Sequence, residues 1–179
     1  MAPDKSSPVL LVLMGVSGAG KSTIGRGVAT ALGFEFVEAD DFHSDQAKAR
    51  MARGKPLDDA MRSPWIESIT QYLLARLNRR GLVLAFSGLR AAHRQSMRQL
   101  GFHVLYFHLC ADPALLRRRL EDRKDHFASA NLLHSQFDAL QEPQSADVIS
   151  VDVDRPPEAI VELIQAHYQS RIEGTHDCY

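Results

Sequence analysis

The segment Gly15–Ser22 reads G-V-S-G-A-G-K-S and matches G-x-x-x-x-G-K-[ST] in full. Each residue type in it serves phosphate chemistry. Gly15, Gly18 and Gly20 let the backbone turn tightly and come close to a phosphate chain. Successive N–H groups, including those of Val16, Ser17 and Ala19, then face the anion, with a helix N-terminus behind them. Lys21 reaches the β and γ phosphates, and Ser22, followed by Thr23, offers a hydroxyl to Mg²⁺. About twenty residues later comes E-A-D-D-F-H, Glu38 to His43. A carboxylate there can hold a metal shell or take a proton from an attacking hydroxyl. Asp40 is the preferred candidate and Asp41 reads as a turn or cap residue. His43 can bind a substrate hydroxyl or serve structure alone.

These residues need a scaffold that brings both segments to one edge. The runs Val9–Met14, Phe34–Val37, Leu82–Phe86, His103–Leu109 and Val148–Val151 are almost continuously apolar, as strands covered on both faces are. Between them, Lys21–Leu32, Pro64–Arg79, Ala92–Leu100, Pro113–Arg123 and Pro156–Ser170 read as helices. Ser63 before Pro64 and Asp112 before Pro113 have the form of N-cap and N1 pairs. The alternation predicts an α/β fold with a parallel sheet and helices on both faces. In such a sheet ligands sit beyond the carboxyl ends of the strands, which puts Asp40 opposite the glycine loop. Asp40–Ser63 and Lys124–Pro143 stand outside the alternation, and the tail from 172 to 179 reads as mobile.

Composition narrows the function. The chain has 179 residues, enough for one domain with a substantial core. A formal net charge of −1 gives no support to a nucleic-acid partner. Cys110 and Cys178 suggest neither a disulfide framework nor a zinc site, and the eight histidines have no ligand spacing. The first apolar run is too short for a membrane span, and a cytoplasmic protein without a membrane partner is expected. No N-K-x-D guanine motif is present, and the third strand ends L-A-F-S-G without the carboxylate of ATPase motors. Arg117 with Glu121 and Arg118 with Asp122 read as i,i+4 pairs on a solvated face. Arg119 and Arg123 lack an i,i+4 acid and can project together toward a transferring phosphate.

The chain also resembles a known family. L-M-G-V-S-G-A-G-K-S-T, E-A-D-D-F-H, M-A-R-G-K-P-L-D-D-A-M-R-S-P-W, F-S-G-L-R-A-A-H-R-Q-S-M-R, R-K-D-H-F and S-Q-F-D-A-L-Q-E-P follow in the order seen in the small P-loop gluconokinases. The resemblance implies transfer of phosphate from ATP to O6 of D-gluconate, with Mg²⁺ as cofactor. It implies a P-loop NTPase fold like that of nucleoside monophosphate kinases, with strand order 2-3-1-4-5 in a single domain spanning 1–179. In that fold residues 40–63 form the acceptor-binding region and 124–131 lie in a mobile lid. It favours Arg123 as a phosphate-facing lid residue, places Arg62 and Arg90 on the acceptor side, and implies a homodimer. The chain departs from the family pattern at Ala47, Arg50, Ala60, Arg90 and His93. A kinase of similar fold acting on another sugar acid or on shikimate is the alternative. A nucleotide-binding regulator without catalysis is a third, which intact Lys21, Ser22 and Asp40 argue against.

Overall fold

A computed structural model of the chain describes residues 7–122, 130–143 and 148–173. Five strands form one parallel sheet: β1 Val9–Met14, β2 Glu35–Glu38, β3 Gly81–Ala85, β4 His103–Cys110 and β5 Val148–Asp152. Their order across the sheet is β2-β3-β1-β4-β5, the order the family resemblance implies. The central strand pairs Leu10 with Leu82 on one side and with Val104 on the other.

Alternation of side chains along β1 explains its unbroken apolar run. Leu11 and Leu13 point to one face, where Val28 of helix α1 (Lys21–Leu32) and Ile160 and Ile164 of helix α7 (Pro157–Glu173) pack. Leu10, Val12 and Met14 point to the other, toward Trp65, Ile69 and Leu73 of helix α3 (Asp59–Leu74). Helix α2 (Asp45–Ala52) precedes α3, helix α4 (Ala91–Arg98) lies between β3 and β4, and helices α5 (Pro113–Glu121) and α6 (Ala130–Ala139) lie between β4 and β5.

Two expectations need correction. Helix α3 begins at Asp59, not at Pro64, and Pro64 lies inside it. The cap is Asp58, whose carboxylate accepts from Met61 N–H at 2.9 Å. The Ser63 hydroxyl instead donates back to the Asp59 carbonyl at 2.9 Å. An interior proline costs about 3 kcal/mol. The Asp58 cap and the burial of Trp65, Ile69 and Leu73 outweigh it. The same helix stops at Leu74 rather than Arg79. Beyond it, Arg76 and Arg79 turn back to Glu35, at 2.7 and 3.7 Å. The Asp112–Pro113 cap stands as read, with Ala114 N–H on the Asp112 carboxylate at 2.7 Å. Arg123, residues 124–129 of the expected lid and residues 174–179 of the tail lie outside the described residues. Among the described residues, no helix is long and apolar enough to cross a membrane.

Candidate active site

The glycine loop joins β1 to α1 and holds a shape that only glycine permits at two points. Gly15 has φ of +144°, and a Cβ there would stand 2.5 Å from the Leu109 carbonyl oxygen. Gly18 has φ of +85°, with the Leu116 carbonyl oxygen 2.9 Å from the same imagined atom. Any side chain would push the loop off β4 and α5. Gly15 N–H donates to the Ser87 carbonyl at 3.1 Å, which ties the loop to the end of β3. The Lys21 ammonium donates to the Val16 carbonyl at 3.0 Å, so it already lies over the loop. Ser17, Gly18, Gly20, Lys21 and Ser22 line an open cleft. Val16 and Ala19 are buried beneath it, and Thr23 is exposed on α1.

The opposite wall comes from the end of β2. The chain leaves that strand through a single 3₁₀ turn, Ala39–Phe42, so Asp40 and Asp41 face the glycine loop. The Asp40 carboxylate is exposed and lies 3.8 Å from His43 Nε2. The His43 ring is buried and stacks on Trp65 at 4.4 Å between centroids. Burial holds His43 below its ordinary pKa, although Asp40 pulls the other way. The Trp65 indole N–H donates to the Ala39 carbonyl at 2.7 Å. Trp65 is therefore a core residue that also lines the cleft.

Glu38, the last residue of β2, was not singled out as functional in the sequence. Burial raises its pKa, a hydrogen bond with Ser22 lowers it, Asp40 raises it, Lys21 lowers it and Asp41 raises it. One half-buried carboxylate thus hydrogen-bonds Ser22 of the loop and lies in the field of its lysine and both aspartates. The signal for it was available: a carboxylate at the carboxyl end of a strand.

Arg62 and Arg90 come from blocks 28 residues apart in number and meet at Asp59. Arg62 Nη1 lies 3.2 Å from Asp59 Oδ1, and Arg90 Nη1 donates to the same oxygen. Asp59 is held below its ordinary pKa, first by the hydrogen bond from Arg90 and, against the opposing effect of burial, by charge from both guanidinium groups. Arg62 lines the cleft directly. His93 lies in the same field; burial and then the charges of Arg62 and Arg90 lower its pKa. Of the other departures, Ala47 is buried in α2, Ala60 is exposed in α3, and Arg50 Nε donates to the carbonyl of Pro56, which lines the cleft, at 2.8 Å.

Arg119 does not line this cleft. Its guanidinium donates to the Val153 carbonyl at 2.9 Å, just beyond β5. That point is on the carboxyl edge of the sheet, on the far side of the loop from Asp40.

The cleft encloses about 510 Å³, a size that holds a small ligand. Among the described residues no three His, Cys, Asp or Glu side chains form a metal cage. Ser22, Glu38 and Asp40 nonetheless supply hard oxygen donors at one place. That set suits Mg²⁺, which keeps much of its water and binds through one or two carboxylates and substrate phosphates.

A phosphate loop at the carboxyl edge of a 2-3-1-4-5 sheet, facing carboxylates across a cleft, defines a P-loop kinase. A family described as an AAA domain matches residues 10–146. The gluconokinase of Gluconobacter oxydans (strain 621H) is 35% identical over 165 residues, covering 91% of this chain and 93% of that protein. The thermoresistant gluconokinase of Escherichia coli (strain K12) is 35% identical over 156 residues, covering 85% and 89%. The crystal structure of a gluconokinase from Sinorhizobium meliloti 1021 superimposes with a TM-score of 0.83 at 31% identity, covering 94% of this chain and 96% of that one. The chain belongs to the gluconokinase family of ATP-dependent carbohydrate kinases.

Proposed function

We propose that the protein transfers the γ-phosphoryl group of ATP to O6 of D-gluconate, giving 6-phospho-D-gluconate and ADP. The observation that carries this reading is that the phosphate loop, Asp40 and Arg62 line one cleft. The acceptor hydroxyl has to lie between the loop and Asp40, and its carboxylate toward Arg62.

Gly15–Thr23 hold the phosphates, with Lys21 offsetting charge on the transferring group. Asp40 orients the primary hydroxyl and takes its proton at Oδ1 or Oδ2. His43, held neutral by burial, is a second hydrogen-bonding partner for the acceptor beside Asp40. Arg62 pairs with the gluconate carboxylate, and Arg90 supports it through the shared contact at Asp59. Ser22, Asp40 and Glu38 would hold Mg²⁺, directly or through water. That ion neutralises charge on the β and γ phosphates when bound. Arg119, by Val153, belongs to the nucleotide side, and the family resemblance assigns Arg123 the role of offsetting charge on the transferring phosphoryl group.

One observation keeps a second acceptor in view. Arg50 is committed to the Pro56 carbonyl, and Pro56 lines the cleft, so this wall is set by a residue that departs from the family pattern. Another sugar acid is therefore the alternative acceptor. The reading extends to a cytoplasmic homodimer, whose mass light scattering would read.

The test is product identification. Incubation with ATP, Mg²⁺ and gluconate should release ADP only when gluconate is present, with phosphorus coupled to the C6 protons in the product spectrum. Acceptor-independent ADP release, or phosphate on another carbon, would refute the assignment.

A further inference from the structure

Gln136, in the middle of α6, makes two hydrogen bonds to one residue of the phosphate loop. Its Oε1 accepts from Ser17 N–H at 2.7 Å, and its Nε2 donates to the Ser17 hydroxyl at 3.0 Å. Both side chains line the cleft. Ser17 N–H belongs to the run of loop amides that face a bound phosphate chain. A neutral side-chain oxygen thus sits on a donor that the loop needs for its ligand.

We propose that Gln136 stands in for a phosphate oxygen on Ser17 and is displaced when nucleotide binds. The proposal rests on the glycine loop being the ATP site. The physical case has three parts. A partly buried N–H must be satisfied, and the glutamine oxygen does this for Ser17. Phosphate is the stronger acceptor, because hydrogen bonds to a charged group are about twice as strong as neutral ones. The terminal torsion of glutamine is broad, so the released amide can swing away from the loop to solvent.

The contact does not serve to anchor α6. Leu133 buries one part of that helix in the core. Just past its end, Gln141 N–H donates to the Leu89 carbonyl at 2.8 Å, and Gln141 Oε1 accepts from Ala91 N–H at 2.7 Å. Arg94 Nη2 adds a bond to the Gln141 carbonyl at 2.9 Å. The segment is held without Gln136, which leaves that side chain free to exchange partners.

The experiment is ATP binding by calorimetry, without acceptor, to the wild type and to the Gln136→Ala, Gln136→Glu and Gln141→Ala variants. Removing a competing acceptor should tighten ATP binding in Gln136→Ala by roughly 2- to 10-fold, the scale of one net hydrogen bond. Its nucleotide-free Tm should fall at the same time. Gln136→Glu puts a negative charge where phosphate must come and should weaken binding. Gln141→Ala loosens the same segment without freeing Ser17 and should not tighten binding. Unchanged or weaker ATP binding by Gln136→Ala, with the wild type binding normally, would make Gln136 a brace and overturn the proposal. Failure of the wild type to bind ATP would overturn the nucleotide-site reading itself, and the proposal with it.

Discussion

Lys21 and Asp40 line the cleft, with Glu38 behind them at the end of β2, and the proposed chemistry stands on these three. The Lys21 ammonium rests on the Val16 carbonyl, outside the core, so Lys21→Ala should leave the fold intact. Turnover should fall by roughly 10²–10³, the usual cost of losing one preorganised electrostatic partner. Near-normal steady-state rates would remove the loop from the mechanism. Asp40→Asn keeps shape and removes charge, and kcat should drop by roughly 10²–10⁴ while ATP still binds. Asp41→Asn should be milder; the reverse order in the same assay would move the role to Asp41. For Glu38 the expected effect on stability opposes the role proposed for it in the metal shell. Its raised pKa means that the folded chain binds more protons than the unfolded chain above the ordinary value of 4.5. Its charge therefore lowers stability at neutral pH. Glu38→Gln should raise Tm at pH 7, by about 1–3 °C for a domain of this size. Turnover should fall roughly 10- to 100-fold if Glu38 supports the metal shell. A lower Tm in a thermal melt would show that the carboxylate is well paired as a charge. Asp40 was legible because a carboxylate after a strand is a known signal. Gln136 was not, because a neutral amide carries no chemical signature until its partner is seen.

At the scale of elements, the start of α3 sets where Arg62 stands on the cleft wall. The sequence reading placed the cap at Ser63, ahead of Pro64. The structure caps the helix at Asp58, which puts Arg62 in the opening turn of a helix and beside Asp59. Local signals rank caps; they do not weigh them against a buried Trp65, Ile69 and Leu73. The Arg62 and Arg90 blocks were each legible, but the carboxylate that joins them was not, since the contact spans 31 residues from Asp59 to Arg90. Arg62→Ala should raise the KM for gluconate roughly 10- to 150-fold, the worth of one charge-assisted hydrogen bond. The KM for ATP should change little. Asp59→Asn should raise the gluconate KM less, because it loosens both arginines without removing either. An equal rise in both substrates' KM for Arg62→Ala would place that residue in general folding and not in acceptor binding.

For the whole molecule, strands were legible as unbroken apolar runs because the parallel sheet is covered on both faces. Their order was not contained in those runs and came from the family resemblance; register emerged only in three dimensions. The same burial gives the molecule a pH response. His43, His93 and His108 all have pKa values lowered chiefly by burial. The folded chain then binds fewer protons than the unfolded chain, so stability is full above about pH 6.5 and is lost as pH falls below it. Glu38 acts in the opposite direction, but as one group against three. Thermal melts from pH 7.5 to 5 should show a falling Tm. His108→Gln, at a position that does not line the cleft, should flatten the slope; an unchanged slope would remove that histidine from the response. The central claim is that this fold presents an acceptor cleft for a sugar acid, and the comparison of kcat/KM for gluconate, glucose and shikimate on the wild-type protein tests it most directly. Gluconate should exceed glucose by at least about 10-fold, because glucose offers Arg62 no carboxylate. Equal values for glucose and gluconate, or activity on shikimate alone, would contradict the account.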